Sequence, residues 1–221
     1  MMTDGINLPK PVLPIGKKPL AWHVMRIYAH YGFKRYVICL GHKADVVRQE
    51  IERAVPAGWD VEFANTGMNT PTGGRVKMAE RFIDGDEFFC TYADGVSDVD
   101  ITKLLAFHRR KGKIATLVAV RPQSPFGALE LKDGAVKKFR EKPMLSQYIN
   151  GGFFVFKNGI FDYLDDNIVL EREPLETLAK KGQLAAYKHH GFWRCMDTFK
   201  DYANLKWLWQ SDERCWKVWR H

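Results

Sequence analysis

The stretch FFCTYADGVSDVD, from Phe88 to Asp100, begins as an apolar run and ends with three acidic residues, Asp94, Asp98 and Asp100. A short apolar run that ends at a turn is typical of a buried strand. In an open, mostly parallel sheet, ligands bind beyond the carboxyl ends of the strands. Asp94 therefore has two interpretations: it belongs to an ordinary strand–helix turn, or its carboxylate holds a metal ion.

The segments around this stretch predict an α/β fold. RYVICLG (35–41) and ATLVAV (115–120) are near-continuous apolar runs, as expected of strands that are covered on both faces. Helical patterns occur in KPLAWHVMRIYAHYG, KADVVRQEIERAV and GGRVKMAERFI. A further helix is predicted to begin at the N-cap Asp100 and to stop at Gly112. The alternation predicts a Rossmann-like, mostly parallel mixed sheet flanked by helices.

The second half of the chain has a different pattern. ALELKDGAVKKFREK predicts a hairpin around Asp133-Gly134, and INGGFFVF predicts another strand. A helix through EPLETLAKKG follows, and a helical C-terminal tail contains four of the seven tryptophans, which we interpret as packing or subunit-contact residues. We expect one domain over 1–221, with a parallel α/β half over about 1–120 and a mixed-sheet half with the helical tail over about 121–221.

The composition is that of a soluble globular protein, with 46% hydrophobic and 27% charged residues. No apolar run approaches the ~20 residues that span a bilayer, and the N-terminus has no apolar core of a secretion signal. Four widely spaced cysteines form no metal-type or redox pair, which favours free thiols in a reducing cytoplasm. We therefore expect a cytoplasmic protein with no membrane partner.

The formal net charge of +8 favours anionic partners. Nucleic acid and small phosphorylated ligands are both anionic, so charge alone does not choose between them. The basic residues are spread along the chain without a recognisable nucleic-acid-binding motif. We expect no nucleic-acid partner.

Three further stretches contain candidate functional residues. LPKPVLPIGKKPL brackets Lys10 with prolines, which predicts an extended loop that presents a lysine to phosphate or simply to solvent. FREKP ends a strand with Glu141 and Lys142, which could contact hydroxyls and an anionic group, and Asn150 and Gly151 open the next strand. In GFWRCMDTFKDY, Asp197 could cap the following helix or bind metal.

Together these stretches resemble the sugar-1-phosphate nucleotidyltransferases, and among them the glucose-1-phosphate cytidylyltransferase group. The similarity extends from about Asn7 to Trp219. The order and spacing of its motifs make coincidence implausible; the motifs are PKPVLPIGKKPLAWH, TGGRVK, TYADGVSDVDI, FGALEL, FREKP, INGGFFVF, EPLETLAKKGQL and GFWRCMDT.

The resemblance implies a nucleotide-diphospho-sugar transferase fold, and an enzyme that joins a nucleoside triphosphate to a sugar 1-phosphate and releases pyrophosphate. CTP and α-D-glucose 1-phosphate are the expected substrates, and CDP-glucose is the expected product. A different triphosphate or sugar is the alternative within the family. Asp94 and Asp197 would hold Mg²⁺, a hard cation that prefers oxygen ligands. A homo-oligomer is also expected.

The same resemblance implies roles for the remaining candidates. Lys10 would neutralise triphosphate charge, Lys142 would contact the sugar phosphate, and Glu141 would contact the sugar hydroxyls. The other residues implied to contact substrate are those of the sugar pocket, Asn150, Gly151 and Gly127, and those of the base-reading region, Thr72, Gly73 and Arg75. The half over about 1–120 would thus bind the nucleotide, and the half over about 121–221 would bind the sugar phosphate.

The chain departs from the family pattern in two places. The family begins with a central strand that runs into a loop of the form G-G-x-G-T-R-L, whereas this sequence starts at MMTDGINLPKP. We expect the two neighbouring strands to lack a ladder partner, either because an ordinary enzyme is shortened or because the chain is a non-catalytic binding or assembly protein. The stretch between AVPAGWDVEF and TGG is also expected to be shorter than in the cytidylyltransferases.

Overall fold

A computed structural model of the chain describes residues 8–219. Its helices are α1 (Leu20–His30), α2 (Ala44–Ala54), α3 (Thr72–Ala79), α4 (Ile101–Lys111), α5 (Glu173–Lys180) and α6 (Phe199–Gln210). Its strands are β1 (Pro14–Ile15), β2 (Lys18–Pro19), β3 (Arg35–Leu40), β4 (Asp60–Asn65), β5 (Glu87–Thr91), β6 (Gly95–Ser97), β7 (Ala115–Val120), β8 (Ala128–Lys132), β9 (Ala135–Arg140), β10 (Ile149–Lys157), β11 (Leu184–Lys188) and β12 (Trp193–Cys195). Short 3₁₀ turns cover Lys10–Val12, Glu80–Phe82 and Asn158–Tyr163.

The largest sheet has four strands in the order β11-β7-β10-β5. β11 runs parallel to β7, whereas β10 runs antiparallel to both β7 and β5. β10 can reverse direction beside β7 because the intervening chain returns without a helical crossover. β3 and β4 form a separate parallel pair. The predicted α/β class and mixed sheet are confirmed.

The two faces of the large sheet pack on different apolar clusters, and β10 contributes to both. Phe153 and Val155 pack in a cluster that includes residues of α1 and α4. Phe154 and Phe156 pack in a second cluster that includes residues of α5 and the Asn158–Tyr163 turn. Side chains on a strand alternate between faces, so four consecutive apolar residues fill both sides of the sheet.

β3 and β5 are less buried than the sequence predicts. Only Leu40 of β3 is fully buried, and every residue of β5 is half-buried. The two strands belong to different sheets, and each pairs with a strand on one side within residues 8–219. The prediction that both are covered on both faces was therefore wrong, because the edge left unpaired within residues 8–219 leaves the residues of each strand partly exposed. β7 is buried along most of its length, as predicted.

The β3–β4 pair has an apolar cluster of its own. Its buried members come from α1, α2, β3 and the Lys10–Val12 turn, and they are Val12, Ala21, Met25, Leu40, Val47 and Ile51. Contacts outside this cluster join the start of β3 to β5 and the segment before it: the ring of Phe33, two residues before β3, is 4.7 Å from the ring of Phe89, and Arg35 pairs with Asp84 at 2.7 Å. Helix α1 therefore packs against both the pair and the larger sheet.

Two local predictions from the second half are confirmed. The β8–β9 hairpin turns at Asp133 and Gly134, whose φ angles of 49° and 77° are the positive values that a two-residue hairpin turn requires. In the C-terminal tail, Trp216 and Trp219 are buried in the cluster that contains α1, which agrees with a packing role. Trp207 is 57% exposed and does not share that role.

No helix among residues 8–219 is long and apolar enough to span a membrane.

We predict that His23 makes the protein sensitive to acid. Its buried ring contacts the carbonyl oxygen of Ile15 through Nε2 at 2.9 Å and Trp216 Nε1 through Nδ1 at 3.4 Å. Burial lowers the pKa of His23 from 6.5 to about 4. The unfolded chain takes up a proton near pH 6.5 and the folded chain does not, so stability is full above that pH and falls as the pH drops towards 4. The loss attributable to His23 approaches about 3 kcal/mol.

Urea unfolding of wild type and His23→Gln at pH 7 and pH 4 measures this effect. The variant should lose less stability between the two pH values than wild type does. His30→Gln, at an exposed position of the same helix, is the matched control and should keep the wild-type difference. An unchanged pH dependence in His23→Gln would contradict the assignment.

Candidate active site

A pairing of two short strands brings Asp94 and Asp197 together. Asp94 lies between β5 and β6, and Asp197 follows β12. β6 and β12 pair antiparallel, with Gly95 opposite Cys195, and the Met196 N–H donates to the Asp94 carbonyl at 2.8 Å. Asp94 precedes β6 and Asp197 follows β12, so the antiparallel pairing brings both residues to the same end of the two-stranded ladder. The structure places both carboxylates beyond the carboxyl end of β5.

Lys10 lies between the two carboxylates. Its Nζ is 3.0 Å from Asp197 Oδ1 and 3.6 Å from Asp94 Oδ2. Lys10 begins a short 3₁₀ turn, so the expectation of an extended loop was wrong at this residue. Proline fixes a φ angle that a 3₁₀ turn also accepts, which is why the flanking prolines did not distinguish the two conformations.

The electrostatic environments of the two carboxylates differ. Burial raises the pKa of Asp94, although the Lys10 ammonium opposes that shift. Hydrogen bonds from Lys10 and Cys195 lower the pKa of Asp197, whose side chain is 63% exposed against 31% for Asp94. Burial raises the pKa of the Cys195 thiol to about 12, so the thiol stays protonated and donates to Asp197 Oδ2 at 3.2 Å.

The pair of carboxylates suits a divalent cation with few protein ligands. An ammonium group already lies between them, which shows that the two oxygens can face one cation. Residues 8–219 contain no group of three or more His, Cys, Asp or Glu side chains placed to hold a metal. Hard cations such as Mg²⁺ are often held by one or two carboxylates, with phosphate oxygens and water completing the coordination.

The neighbouring acidic residues have other roles. Thr198, and not Asp197, caps α6, and it forms a capping box with Asp201. The capping interpretation of Asp197 was therefore wrong, and its carboxylate is left facing Lys10. Asp100 accepts a hydrogen bond from the Lys103 N–H at 2.9 Å and caps α4, as predicted. Asp98 contacts His189 Nε2 at 2.8 Å.

A second group of polar side chains joins two predicted regions of the site. Thr72 opens α3 and donates through Oγ1 to Glu171 at 2.6 Å. Glu171 also accepts from the Tyr92 hydroxyl, and Asn150 Nδ2 donates to the same hydroxyl at 3.3 Å. Tyr92 and Glu171 were not predicted. The proximity of Tyr92 to Asp94 in the sequence could have indicated it, whereas nothing around Glu171 in the sequence does.

Gly73 packs directly against the segment that carries Glu171. A Cβ atom at Gly73 would lie 2.7 Å from both the Ile168 carbonyl oxygen and Ile168 Cγ2. The backbone of α3 also bonds to this segment, since the Gly74 N–H donates to the Ile168 carbonyl at 3.1 Å. Close packing against backbone explains a glycine at position 73.

Arg75 holds the loop that follows β4. Its guanidinium donates to Thr66 Oγ1 at 2.6 Å, to the Leu40 carbonyl at 3.3 Å and to the Met68 carbonyl at 3.2 Å. These bonds place Arg75 beside the carboxyl ends of β3 and β4. The predicted contact with a base remains a prediction.

The sugar-pocket candidates fall into two places. Lys142 pairs with Glu141 at 3.3 Å, and a Cβ at Gly127 would lie 3.2 Å from Glu141 Oε2, so these three are neighbours at the base of the hairpin. The Gly151 carbonyl instead accepts from Trp193 Nε1 at 2.8 Å, on the large sheet. Within residues 8–219, no hydrogen bond or ion pair links Glu141 or Lys142 to the Lys10, Asp94 and Asp197 group.

Comparison with known proteins identifies the family. The family model described as "Nucleotidyl transferase" matches residues 5–208. The chain belongs to the nucleotidyl transferase family. It is an enzyme of that family, and the sheet edge with Asp94, Asp197 and Lys10 is its candidate active site.

Relatives and solved structures agree with this assignment. A Salmonella typhimurium protein named "Glucose-1-phosphate cytidylyltransferase" is 40% identical, over 98% of this chain and 93% of its own. A Bacillus subtilis protein named "Probable glucose-1-phosphate cytidylyltransferase" is 37% identical, over 96% of this chain and 92% of its own. HddC from Yersinia pseudotuberculosis shares the fold, with a TM-score of 0.71 and 22% identity over 92% of each chain. The structure of HddC with GMP-PN has a TM-score of 0.72 and 21% identity over 93% of this chain and 92% of that one.

We predict that Gly73→Ala destabilises the protein. The added Cβ would meet the backbone oxygen of Ile168 at 2.7 Å, so α3 must shift away from the segment before α5. Overpacking of this kind lowers the free energy of unfolding by about 1–3 kcal/mol, which urea denaturation measures. Gly159→Ala is the matched control, because its Cβ would meet Ile114 at 3.8 Å, an ordinary contact. Equal stability of the two variants would contradict the packing argument.

Proposed function

We propose that this nucleotidyltransferase transfers a cytidylyl group from CTP to α-D-glucose 1-phosphate and releases CDP-glucose and pyrophosphate. The observation that carries the proposal is the convergence of Asp94, Asp197 and Lys10 at the carboxyl end of β5. The identity of 37–40% to proteins named as glucose-1-phosphate cytidylyltransferases supports the choice of substrates. A net charge of +8 suits two anionic substrates.

Asp94 and Asp197 would hold Mg²⁺, which supplies positive charge to the reacting phosphates when it is bound. Both carboxylates offer hard oxygen ligands and leave most coordination positions to substrate and water. Lys10 would exchange its contacts with the carboxylates for contacts with triphosphate oxygens. Hydrogen bonds to both acids and their negative charges raise the pKa of Lys10 against the effect of burial, so this side chain stays cationic.

The reaction needs no covalent intermediate on the protein. A phosphate oxygen of the sugar phosphate attacks the α-phosphorus of CTP, and the bond from that phosphorus to the pyrophosphate oxygen breaks. Positioning and charge neutralisation supply most of the catalysis in such transfers. The thiol nearest the site, Cys195, is protonated and bonded to Asp197, which suits a structural role.

The two substrates would bind on opposite sides of Asp94. Thr72 and Gly73 at the start of α3, with Arg75, would face the base. The groups proposed to face the sugar phosphate are Gly127, Glu141, Lys142, Asn150 and Gly151. Glu141 and Lys142 directly follow the β8–β9 hairpin, whose two connecting segments are bonded to each other through the Ser124 N–H and the Pro143 carbonyl at 2.8 Å.

We further propose that the chain self-associates through the β8–β9 hairpin. Its exposed apolar side chains include Leu129, Leu131, Val136 and Phe139. Leu129 lies opposite Phe139 and Leu131 opposite Val136, and exposed apolar surface of this kind commonly marks a protein interface.

Substrate preference can be measured directly. We predict that, of CTP, UTP, GTP and dTTP, CTP gives the highest kcat/KM for pyrophosphate release with α-D-glucose 1-phosphate, by about tenfold or more. Reactions without the sugar phosphate serve as the control for plain triphosphate hydrolysis. A preference for another triphosphate would replace the cytidylyl assignment with a sister activity. Calorimetric binding of CTP without any turnover would instead indicate a non-catalytic binding protein.

We predict that Asp94→Asn lowers Mg²⁺-dependent pyrophosphate release by roughly 100-fold or more, because an amide binds a hard cation poorly. Asp100→Asn is the matched control: it makes the same chemical change in the same segment, and asparagine is as good an N-cap as aspartate. That variant should keep near wild-type activity. Folding of both is checked by circular dichroism. Near wild-type activity in folded Asp94→Asn would overturn the metal assignment.

A further inference from the structure

The hydrogen-bond chain Thr72–Glu171–Tyr92–Asn150 crosses the site from the start of α3 to the start of β10. Each link has a defined direction. Thr72 Oγ1 accepts from the Leu170 N–H at 3.0 Å, so its proton is free to be donated to Glu171. Tyr92 donates to Glu171 and accepts from Asn150, whose Oδ1 in turn accepts from the Gly152 N–H at 2.9 Å.

Glu171 is the member of this hydrogen-bond chain that joins Thr72 to Tyr92. Its two carboxylate oxygens accept one hydroxyl each, Oε2 from Thr72 and Oε1 from Tyr92. Within residues 8–219 it forms no ion pair with a lysine, arginine or histidine, so its charge is stabilised by these hydroxyls. Hydrogen bonds to a charged acceptor are among the stronger ones in proteins. The carboxylate therefore fixes the separation of Thr72 and Tyr92.

The segments at the two ends of this hydrogen-bond chain, the start of α3 and the start of β10, have little freedom to move independently. Gly73 packs on Ile168, three residues before Glu171. Gly152, with a φ angle of 75°, packs against the Tyr92 ring, and its carbonyl accepts from the Tyr92 N–H at 3.0 Å. A displacement of α3 would therefore be transmitted through Glu171 to Tyr92, which lies two residues before Asp94.

We propose that Glu171 is a positioning residue that couples the two halves of the site, so that a bound nucleotide strengthens binding of the sugar phosphate. The inference rests on the proposed function, because it takes Thr72 as a nucleotide contact and Asn150 as a sugar contact. Coupling between two sites commonly changes affinity by about fivefold to 100-fold, and thermodynamics requires the same factor in both directions.

Calorimetry with α-D-glucose 1-phosphate tests the coupling. Titrations are made with Mg²⁺, with and without a saturating CTP analogue that has a non-cleavable α,β linkage. Wild type should bind the sugar phosphate at least about fivefold more tightly with the analogue present. Glu171→Ala should abolish this enhancement while each ligand alone binds within about threefold of wild type. In steady-state assays its KM for sugar phosphate should rise more than its kcat falls.

Variants of matched chemistry separate positioning from folding. Glu171→Gln should keep part of the enhancement, because its amide oxygen can accept from Tyr92 and its amide nitrogen can donate to Thr72. Tyr92→Phe leaves Glu171 in place but removes the hydroxyl that bonds to both Glu171 and Asn150, and it should lose the enhancement. Glu173→Ala, an exposed position two residues further on, should behave as wild type.

The possible results discriminate clearly. An enhancement in Glu171→Ala or Tyr92→Phe equal to that of wild type would overturn the inference. So would a parallel loss of affinity for each ligand measured alone, since that indicates a purely structural role. Binding of both ligands to wild type without mutual enhancement would overturn the inference and leave the proposed function intact. Binding of neither ligand to wild type would overturn both.

Discussion

The pairing of β6 with β12 is the constraint on which the candidate site depends. These are two of the shorter strands, yet they join the loop after β5 to the segment before α6. The bond from the Met196 N–H to the Asp94 carbonyl extends the pairing by one step and sets the two carboxylates beside each other. Lys10 then reaches both acids from the N-terminal turn. Three distant parts of the sequence meet because one short ladder holds two of them in register.

Much of the fold could be predicted from local sequence, because local sequence determines it. The cap at Asp100 and the hairpin turn at Asp133-Gly134 depend on side chains within three or four residues, and both are confirmed. The half-burial of β3 and β5 could not be predicted from their apolar sequences, since burial depends on which strands lie beside them. The apolar pattern of a strand indicates that its side chains can be buried, but it does not identify the strands and helices that pack against them.

In the candidate site, too, features set by local sequence could be predicted and features set by distant residues could not. Asp94 was singled out by its place after a strand, but its proximity to Asp197 followed only from the family resemblance. Glu171 carried no sequence signal, because its partners Thr72 and Tyr92 are each about eighty or more residues away in the chain. The capping interpretation of Asp197 failed because Thr198 is an equally good cap one residue later, and one-residue shifts at helix ends are not resolved by sequence preference.

The separate β3–β4 pair has a consequence for local stability. The pair and α2 pack, with one face of α1 and the Lys10–Val12 turn, in a small apolar cluster that is distinct from the clusters on the two faces of the large sheet. Units with few buried contacts open more easily than the main core. Backbone amides of β3 and β4 should consequently exchange with solvent deuterium sooner than those of β7 and β10. Because Arg75 bonds to the Leu40 carbonyl and Thr66, each opening of this unit also breaks one of the anchors of α3, and the segment proposed to read the base is then held only from the side of Ile168 and Glu171.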